Sequence, residues 1–94
     1  MAKFYFKSYN MIIGEASNVS ELAREIRRLS IQFPMAVEYH LQRGHVVQWL
    51  TSIGEIETAE KMKGVQDIAE ALYILEKQIE LAVTVQRMTR GRMH

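Results

Sequence analysis

The stretch VQDIAEALYILEKQIELAVTVQRMTR, residues 65–90, is the longest part of this 94-residue chain without glycine or proline. Alanine, leucine, glutamate, glutamine and lysine, which favour helix, are frequent in it. Apolar residues recur at steps of three and four along one side: Val65, Ile68, Leu72, Leu75, Ile79 and Ala82. This spacing is typical of one face of a helix, so the stretch predicts a long helix against which the other elements pack.

A second apolar row widens the surface of the predicted helix. It consists of Ile74, Leu81, Val85 and Met88. At about 1.5 Å per residue the helix is about 39 Å long, which exceeds the width of a compact chain of this size. Because exposed apolar patches usually mark interfaces, we expect the second row to hold a homodimer together.

The composition is that of a globular domain and not of a disordered chain, with 48% hydrophobic residues, 24% charged residues and one proline. The length suits a single domain, residues 1–94. The absence of cysteine excludes disulfides and thiolate ligands or nucleophiles. No secretory signal is present, and charges interrupt every apolar run short of a membrane span, so we expect a cytoplasmic protein with no membrane partner.

The rest of the chain predicts an α+β fold that is mostly α. Aromatic residues at alternate positions near the start predict a strand, followed by a turn at Tyr9 and Asn10, since Asn10 tolerates the left-handed conformation that tight hairpins require. Asn18 is placed to cap the first helix, with Glu21 reaching back to the Asn18 amide. Pro34 and three glycines then separate short helices. The predicted elements are a hairpin over residues 3–15 and helices over about residues 19–30, 35–43, 45–53, 55–63 and 65–90.

The hairpin needs support from elsewhere, because two strands alone are only marginally stable in water. Its apolar side chains are Phe4, Phe6, Ile12 and Ile13. We therefore expect helices to cover the hairpin or a second chain to extend it.

Reactive side chains concentrate in one segment, which contains Glu38, His40, Arg43, His45 and Trp49. Gly44 interrupts the five-residue step between the two histidines, which does not place them on one helical face, so no metal site is predicted. One interpretation is a small enzyme with Glu38 and His40 as an acid–base pair. The other is structural, with a histidine bonded to a helix end or packed on the indole. No serine lies in a nucleophile elbow and no glycines form a phosphate loop, so we assign no catalytic residue, metal ligand or cofactor.

The arginines form two groups that carry an alternative function. The first group is Arg24, Arg27 and Arg28, and the second, after the last acidic residue, is Arg87, Arg90 and Arg92. Interleaved glutamates in the first group, the small size of the second and a net charge of +1 favour ordinary solvated surfaces. A dimer would double and join the two groups, so the alternative is a nucleic-acid-binding protein.

Several short pieces of the sequence occur together in one known family. They are Phe4-x-Phe6, Glu21-Leu22-Ala23, Tyr39-His40-Leu41-x-Arg43-Gly44-His45, Trp49-Leu50 and residues 59–62. In these pieces the chain resembles a family of small domains of unknown function, mainly archaeal. Two positions depart from the family pattern: Asn10 stands where a glycine is expected in the turn, and His45 where the family more often has aspartate. The resemblance implies one fold unit over about residues 3–63 and supplies no activity.

The sequence therefore predicts a non-enzymatic protein-interaction module. We expect it to be a homo-oligomer, most simply a dimer, that associates through the long C-terminal helix. No small-molecule ligand is indicated.

Overall fold

A computed structural model of the chain describes the backbone of residues 2–91 and the side chains of residues 2–88. Within this range an antiparallel hairpin precedes five helices. The elements are β1 (Phe4–Ser8), β2 (Met11–Ala16), α1 (Val19–Gln32), α2 (Pro34–Gln42), α3 (His45–Ser52), α4 (Ile56–Met62) and α5 (Ile68–Gly91). The fold is α+β and mostly α, which confirms the predicted class, and each element end lies within three residues of its prediction.

The hairpin shows the predicted alternation and turns at the predicted residues, but the left-handed residue of the turn is not the expected one. Phe4 and Phe6 are buried, and an irregular step in the strand pairing follows Phe6. The turn residues are Tyr9 and Asn10, and Tyr9 takes the left-handed conformation, with φ 57°. The assignment of that conformation to Asn10 was wrong, because the tight turns that suit a hairpin all need a positive φ at the first turn residue. Position in the turn therefore outweighs the side-chain preference of asparagine.

Side chains of α1 cover the outer edge of β2. The Arg28 guanidinium donates to the Ile13 carbonyl at 2.9 Å, and the Glu15 amide donates to the Glu25 carboxylate at 3.1 Å. Arg28 and Glu25 also pair with each other at 2.8 Å. A Cβ atom at Gly14 would lie 2.4 Å from the same carboxylate, so glycine allows α1 this close to the strand. These bonds occupy backbone groups that an added strand would need.

The cap of α1 is confirmed in part. The Asn18 side chain accepts from the Glu21 amide at 2.9 Å, as predicted. The Glu21 carboxylate, however, accepts from the Ser17 amide at 2.8 Å and not from the Asn18 amide. The helix is therefore capped reciprocally, but one residue further back than expected, because the chain enters in an extended conformation at Asn18 (φ −153°).

Helix α5 begins three residues later than predicted. The Asp67 side chain accepts from the Glu70 amide at 2.9 Å, and the Asp67 carbonyl accepts from the Ala71 amide at 3.0 Å. Asp67 is therefore the cap, and a helix cannot extend backwards through a capping residue in this arrangement. Val65 is still buried, but in the connection that precedes the helix.

The core lies between the hairpin, the inner sides of α1 to α4 and the first half of α5. The largest fully buried side chains are Phe6, Leu22, Ile26, Leu29, Leu50, Met62 and Leu75. Arg27 of α1 forms an ion pair with Glu76 of α5 at the edge of this core. The first half of α5 is thus held on one side by buried apolar contacts and at its edge by charge.

The second half of α5 extends away from the core. The molecule measures 52 × 26 × 22 Å, and the 24 residues of α5 extend about 36 Å. Every side chain from residue 80 to residue 88 is exposed. Among residues 2–91, no helix is long and apolar enough to cross a membrane.

Candidate functional site

Two histidines on different helices meet under the hairpin. Gly44, with φ 74°, turns the chain between α2 and α3 and so brings His40 and His45 together. Their Nδ1 atoms lie 2.9 Å apart. On its other side, His40 accepts a hydrogen bond at Nε2 from the backbone amide of Lys7, at 3.0 Å. A five-residue step that cannot share one helical face is therefore bridged by a turn between two helices.

These contacts determine where the protons lie. A nitrogen that accepts from an amide carries no proton, so neutral His40 holds its proton on Nδ1. That proton is donated to Nδ1 of His45, which must then carry its own proton on Nε2. A directed chain of hydrogen bonds thus runs from the Lys7 amide of β1 through α2 to α3. Protonation of either ring at its accepting nitrogen breaks the chain.

Aromatic rings surround the buried member of the pair. The rings of Phe4 and Phe6 meet His40 edge to face at 5.4 and 5.7 Å between centroids. Tyr39 lies 5.8 Å from both imidazole rings. Burial lowers the pKa of His40, and the neighbouring charge of His45 lowers it further. The apolar surroundings therefore favour the neutral ring that the hydrogen bonds require.

The other members of the predicted cluster have separate contacts. The Trp49 indole donates to the Ala2 carbonyl at 2.9 Å. The Arg43 guanidinium lies over the Tyr39 ring, 5.3 Å from its centroid. Glu38 is two residues from His40 on α2, so the two side chains point to different sides of the helix and form no acid–base pair there.

The hydrogen bonds of the histidine pair join β1, α2 and α3. In the part of the chain with described side chains, no three His, Cys, Asp or Glu residues are grouped to hold a metal ion. Sequence reasoning did not find the Lys7 amide or the position of Tyr39. The irregular strand step next to Lys7 lies beside Gly14, a residue type that often marks such a step, but the sequence does not show that the Lys7 amide faces His40.

The second candidate site is the exposed end of α5. The predicted interface row is partly buried at its first residue and exposed at the other three. Ile74 is partly buried against the core. Leu81, Val85 and Met88, which we call the distal row, are exposed over 50%, 61% and 58% of their surfaces. Their steps of four and three keep them on one side of the helix.

An open groove of about 820 Å³ lies beside the distal row. We call it the end groove. Its floor is α5 over residues 78–86, and its walls are residues 18–20, where α1 begins, and residues 55–58, where α4 begins. Helix α5 continues past both walls.

Acidic residues pair with most of the arginines on α1. Arg27 pairs with Glu76, and Arg28 pairs with Glu25, so two of the three arginines on α1 are held by acidic residues. Arg24 and Arg87 are exposed. Of the remaining two, the side chain of Arg90 and the whole of Arg92 lie outside the described residues. A nucleic-acid surface therefore stays a prediction, and its α1 part is weakened by these pairs.

Comparison with models of protein families, with curated proteins and with solved structures finds no match to the chain. The resemblance to a mainly archaeal family stays a prediction.

Proposed function

We propose that this protein is a non-enzymatic interaction module that forms a homodimer through the distal row of α5. The observation that supports the proposal most directly is the exposure of the distal row on a helix that has left the core. Three large apolar side chains on one side of a helix are costly to leave in water, and such patches usually mark interfaces. Covering one such side chain would stabilise the complex by about 1 kcal/mol.

A second copy is favoured as the partner because the row is suited to pairing with itself. Two copies of the helix placed antiparallel cover both rows with one contact that occurs twice, as twofold symmetry requires. The helix has no acidic residue after Glu80, so the pairing of two distal rows buries no carboxylate of that segment.

The histidine pair supports the non-enzymatic part of the proposal. The accepting nitrogen of His40 is used by the Lys7 amide, and its donor is used by His45. A residue that performs proton transfer needs at least one nitrogen facing substrate. His40 is therefore better suited to holding β1 against α2 and α3.

Sedimentation equilibrium over a range of concentrations tests the dimer. The wild-type chain should sediment at twice its 10.9 kDa mass. Leu81→Glu and Val85→Glu should sediment as folded monomers, because each places a carboxylate in the apolar contact. Circular dichroism before each run checks that the variants keep their helix content.

Ile31→Glu provides the matched control. Ile31 is apolar and 83% exposed, but it lies on α1 outside the distal row. This variant should stay dimeric. A wild-type monomer at every concentration, or equal loss of dimer in the control, would contradict the proposal.

A further inference from the structure

The hydrogen-bond chain of the histidine pair ends in a donor that reaches the surface. Because Nδ1 of His45 accepts from His40 at 2.9 Å, the proton of neutral His45 lies on Nε2. This N–H group has no acceptor in the part of the chain that the structure describes. No buried side-chain nitrogen or oxygen in that part lacks a partner, so Nε2 is in contact with solvent. His45 therefore presents one donor of fixed direction to a ligand outside the chain.

Two cationic side chains without an acidic partner lie around this donor. The Arg43 guanidinium lies over the Tyr39 ring, and the same ring meets His45 at 5.8 Å between centroids. Lys7 is bonded to His40 through its backbone amide, and the Lys7 side chain is exposed. Among the side chains of residues 2–88, neither Lys7 nor Arg43 has a carboxylate within 4 Å. Both cations are therefore available to a ligand.

The charged groups that act on the histidine pair are basic. Burial lowers the pKa of His40 most, and the charges of His45 and Lys7 lower it further. No carboxylate contributes to this shift, although Glu38 lies only two residues from His40 in the sequence. The surface beside the pair therefore has a positive potential, which attracts anions.

The same geometry argues against a metal ion between the two rings. A metal bound to Nδ1 of His40 would leave that ring without a proton, because its Nε2 already accepts from the Lys7 amide. Histidine normally binds metals as a neutral ring that keeps one proton. An anion outside the pair leaves both hydrogen bonds of His40 in place.

We infer that Lys7, Arg43 and the Nε2 group of His45 form a binding site for a phosphate group. A phosphate carries oxygens in several directions and suits donors that come from β1, from the end of α2 and from the start of α3. The guanidinium of Arg43 can donate two parallel bonds to it, while the Tyr39 ring supports the guanidinium plane. Small phosphate esters and the backbone of nucleic acids both carry this group.

This phosphate site differs from the arginine groups of the sequence prediction. Arg27 and Arg28 of α1 are held by acidic residues, whereas no such pair holds Lys7 or Arg43 among the described side chains. None of the residues of the phosphate site belongs to the distal row or lines the end groove. Phosphate binding therefore does not require the proposed homodimer.

An NMR titration with inorganic phosphate, at constant ionic strength, tests the site. The ring ¹⁵N signal of His45 Nε2 should move and saturate, while the amide signals of the distal row should stay in place. Lys7→Gln and Arg43→Gln should each weaken binding about three- to tenfold, since each removes one cationic partner. Lys7→Gln keeps the backbone amide that bonds to His40, so the histidine pair is preserved.

Arg24→Gln is the matched control. Arg24 is an exposed arginine on α1, and it too has no carboxylate within 4 Å among the described side chains. The variant removes the same charge and should leave the affinity for phosphate unchanged. An Nε2 signal that does not move, or an equal weakening by Arg24→Gln, would overturn the site.

A single-stranded oligothymidylate distinguishes the two sources of the phosphate group. Binding that is tighter than that of inorganic phosphate, falls steeply with salt and is weakened by Lys7→Gln and Arg43→Gln would identify a nucleic-acid backbone as the ligand. Binding no tighter than that of inorganic phosphate would identify a small phosphate ester.

Discussion

The hairpin and the distal half of α5 begin from the same difficulty and reach different outcomes. Each is an apolar element that other parts of the chain or a second copy must cover. The part of the hairpin that carries Phe4 and Phe6 is covered within the chain, although Ile12 stays 56% exposed. Helix α1 supplies Arg28 and Glu25 to the edge of β2, and α2 supplies His40 to β1. The distal half of α5 lies beyond the starts of α1 and α4 and keeps its apolar row exposed.

The difference shows that coverage depends on where neighbouring elements end. Leu75 and Leu81 are both leucines of the same helix, yet Leu75 is fully buried and Leu81 is half exposed. The change occurs where α1 and α4 begin. An apolar row therefore identifies a surface that needs a partner, while the positions of the neighbouring helices decide which part the chain itself covers.

Substitution of a buried residue in the hairpin should lower the stability of the chain far more than substitution of an exposed residue in the distal half of α5. Phe6→Ala should lower the free energy of unfolding by about 3–5 kcal/mol, because the Phe6 side chain is fully buried and its removal leaves a cavity. Urea denaturation followed by circular dichroism measures the change. Tyr9→Ala is the control, because Tyr9 is fully exposed at the turn of the same hairpin. A loss below about 1 kcal/mol for Phe6→Ala would mean that the hairpin is not part of the core.

Most of this architecture could be predicted from local sequence patterns. The alternation of Phe4 and Phe6, the cap at Asn18 and the proline at Pro34 are signals carried by neighbouring residues, and each coincides with an observed element end or face. The errors arose where position outweighs residue preference. Tyr9 and not Asn10 is left-handed, and Asp67 stops α5 from reaching back to Val65.

A smaller effect is expected from the edge of β2. Gly14→Ala should lower the free energy of unfolding by about 1–3 kcal/mol, because the Cβ atom of the new alanine would displace the Glu25 carboxylate from the Glu15 amide. Urea denaturation again gives the value. In a Glu25→Ala background the added cost should be smaller, since the displaced group is then absent. Equal costs in the two backgrounds would show that the carboxylate is not what the methyl group meets.

The candidate sites were less predictable than the fold. His40 and His45 were named from the sequence, but their spacing was judged within one helix, and the turn at Gly44 joins them across two. The Lys7 amide could not be found, because a backbone group has no sequence signature. The division of the interface row between Ile74 and the distal row depends on where α1 and α4 begin, which is set by packing over the whole chain.

The covered hairpin should also lose stability as the pH falls below neutral. The pKa of His40 is lower in the folded chain than its ordinary value of 6.5, so below that value the unfolded chain binds a proton that the folded chain excludes. Stability is therefore complete above about pH 6.5 and falls as the pH decreases, by at most about 1.4 kcal/mol per pH unit. The groups that face His40 are His45 of α3, Lys7 of β1 and Tyr39 of its own helix.

Unfolding by urea between pH 7.5 and 5.5 measures this dependence. His40→Gln keeps a side-chain acceptor for the Lys7 amide but does not titrate, so its stability should vary less over this range. The window lies above the ordinary carboxyl pKa, which keeps the Glu25–Arg28 pair charged throughout. The same slope in wild type and variant would show that His40 does not cause the pH dependence.

The smallest change in stability is expected in the distal half of α5. Leu81→Ala should alter the free energy of unfolding by less than about 0.5 kcal/mol when measured at concentrations where the chain is monomeric, because half of the side chain is already in water. The same substitution should weaken association, since apolar area is lost from both sides of a twofold contact. Leu75→Ala should do the reverse, with a loss of about 2–5 kcal/mol in unfolding and no specific effect on association of the folded chain. A large loss of monomer stability in Leu81→Ala would mean that the distal half folds back onto its own chain, and the contrast between the two ends of α5 would then disappear.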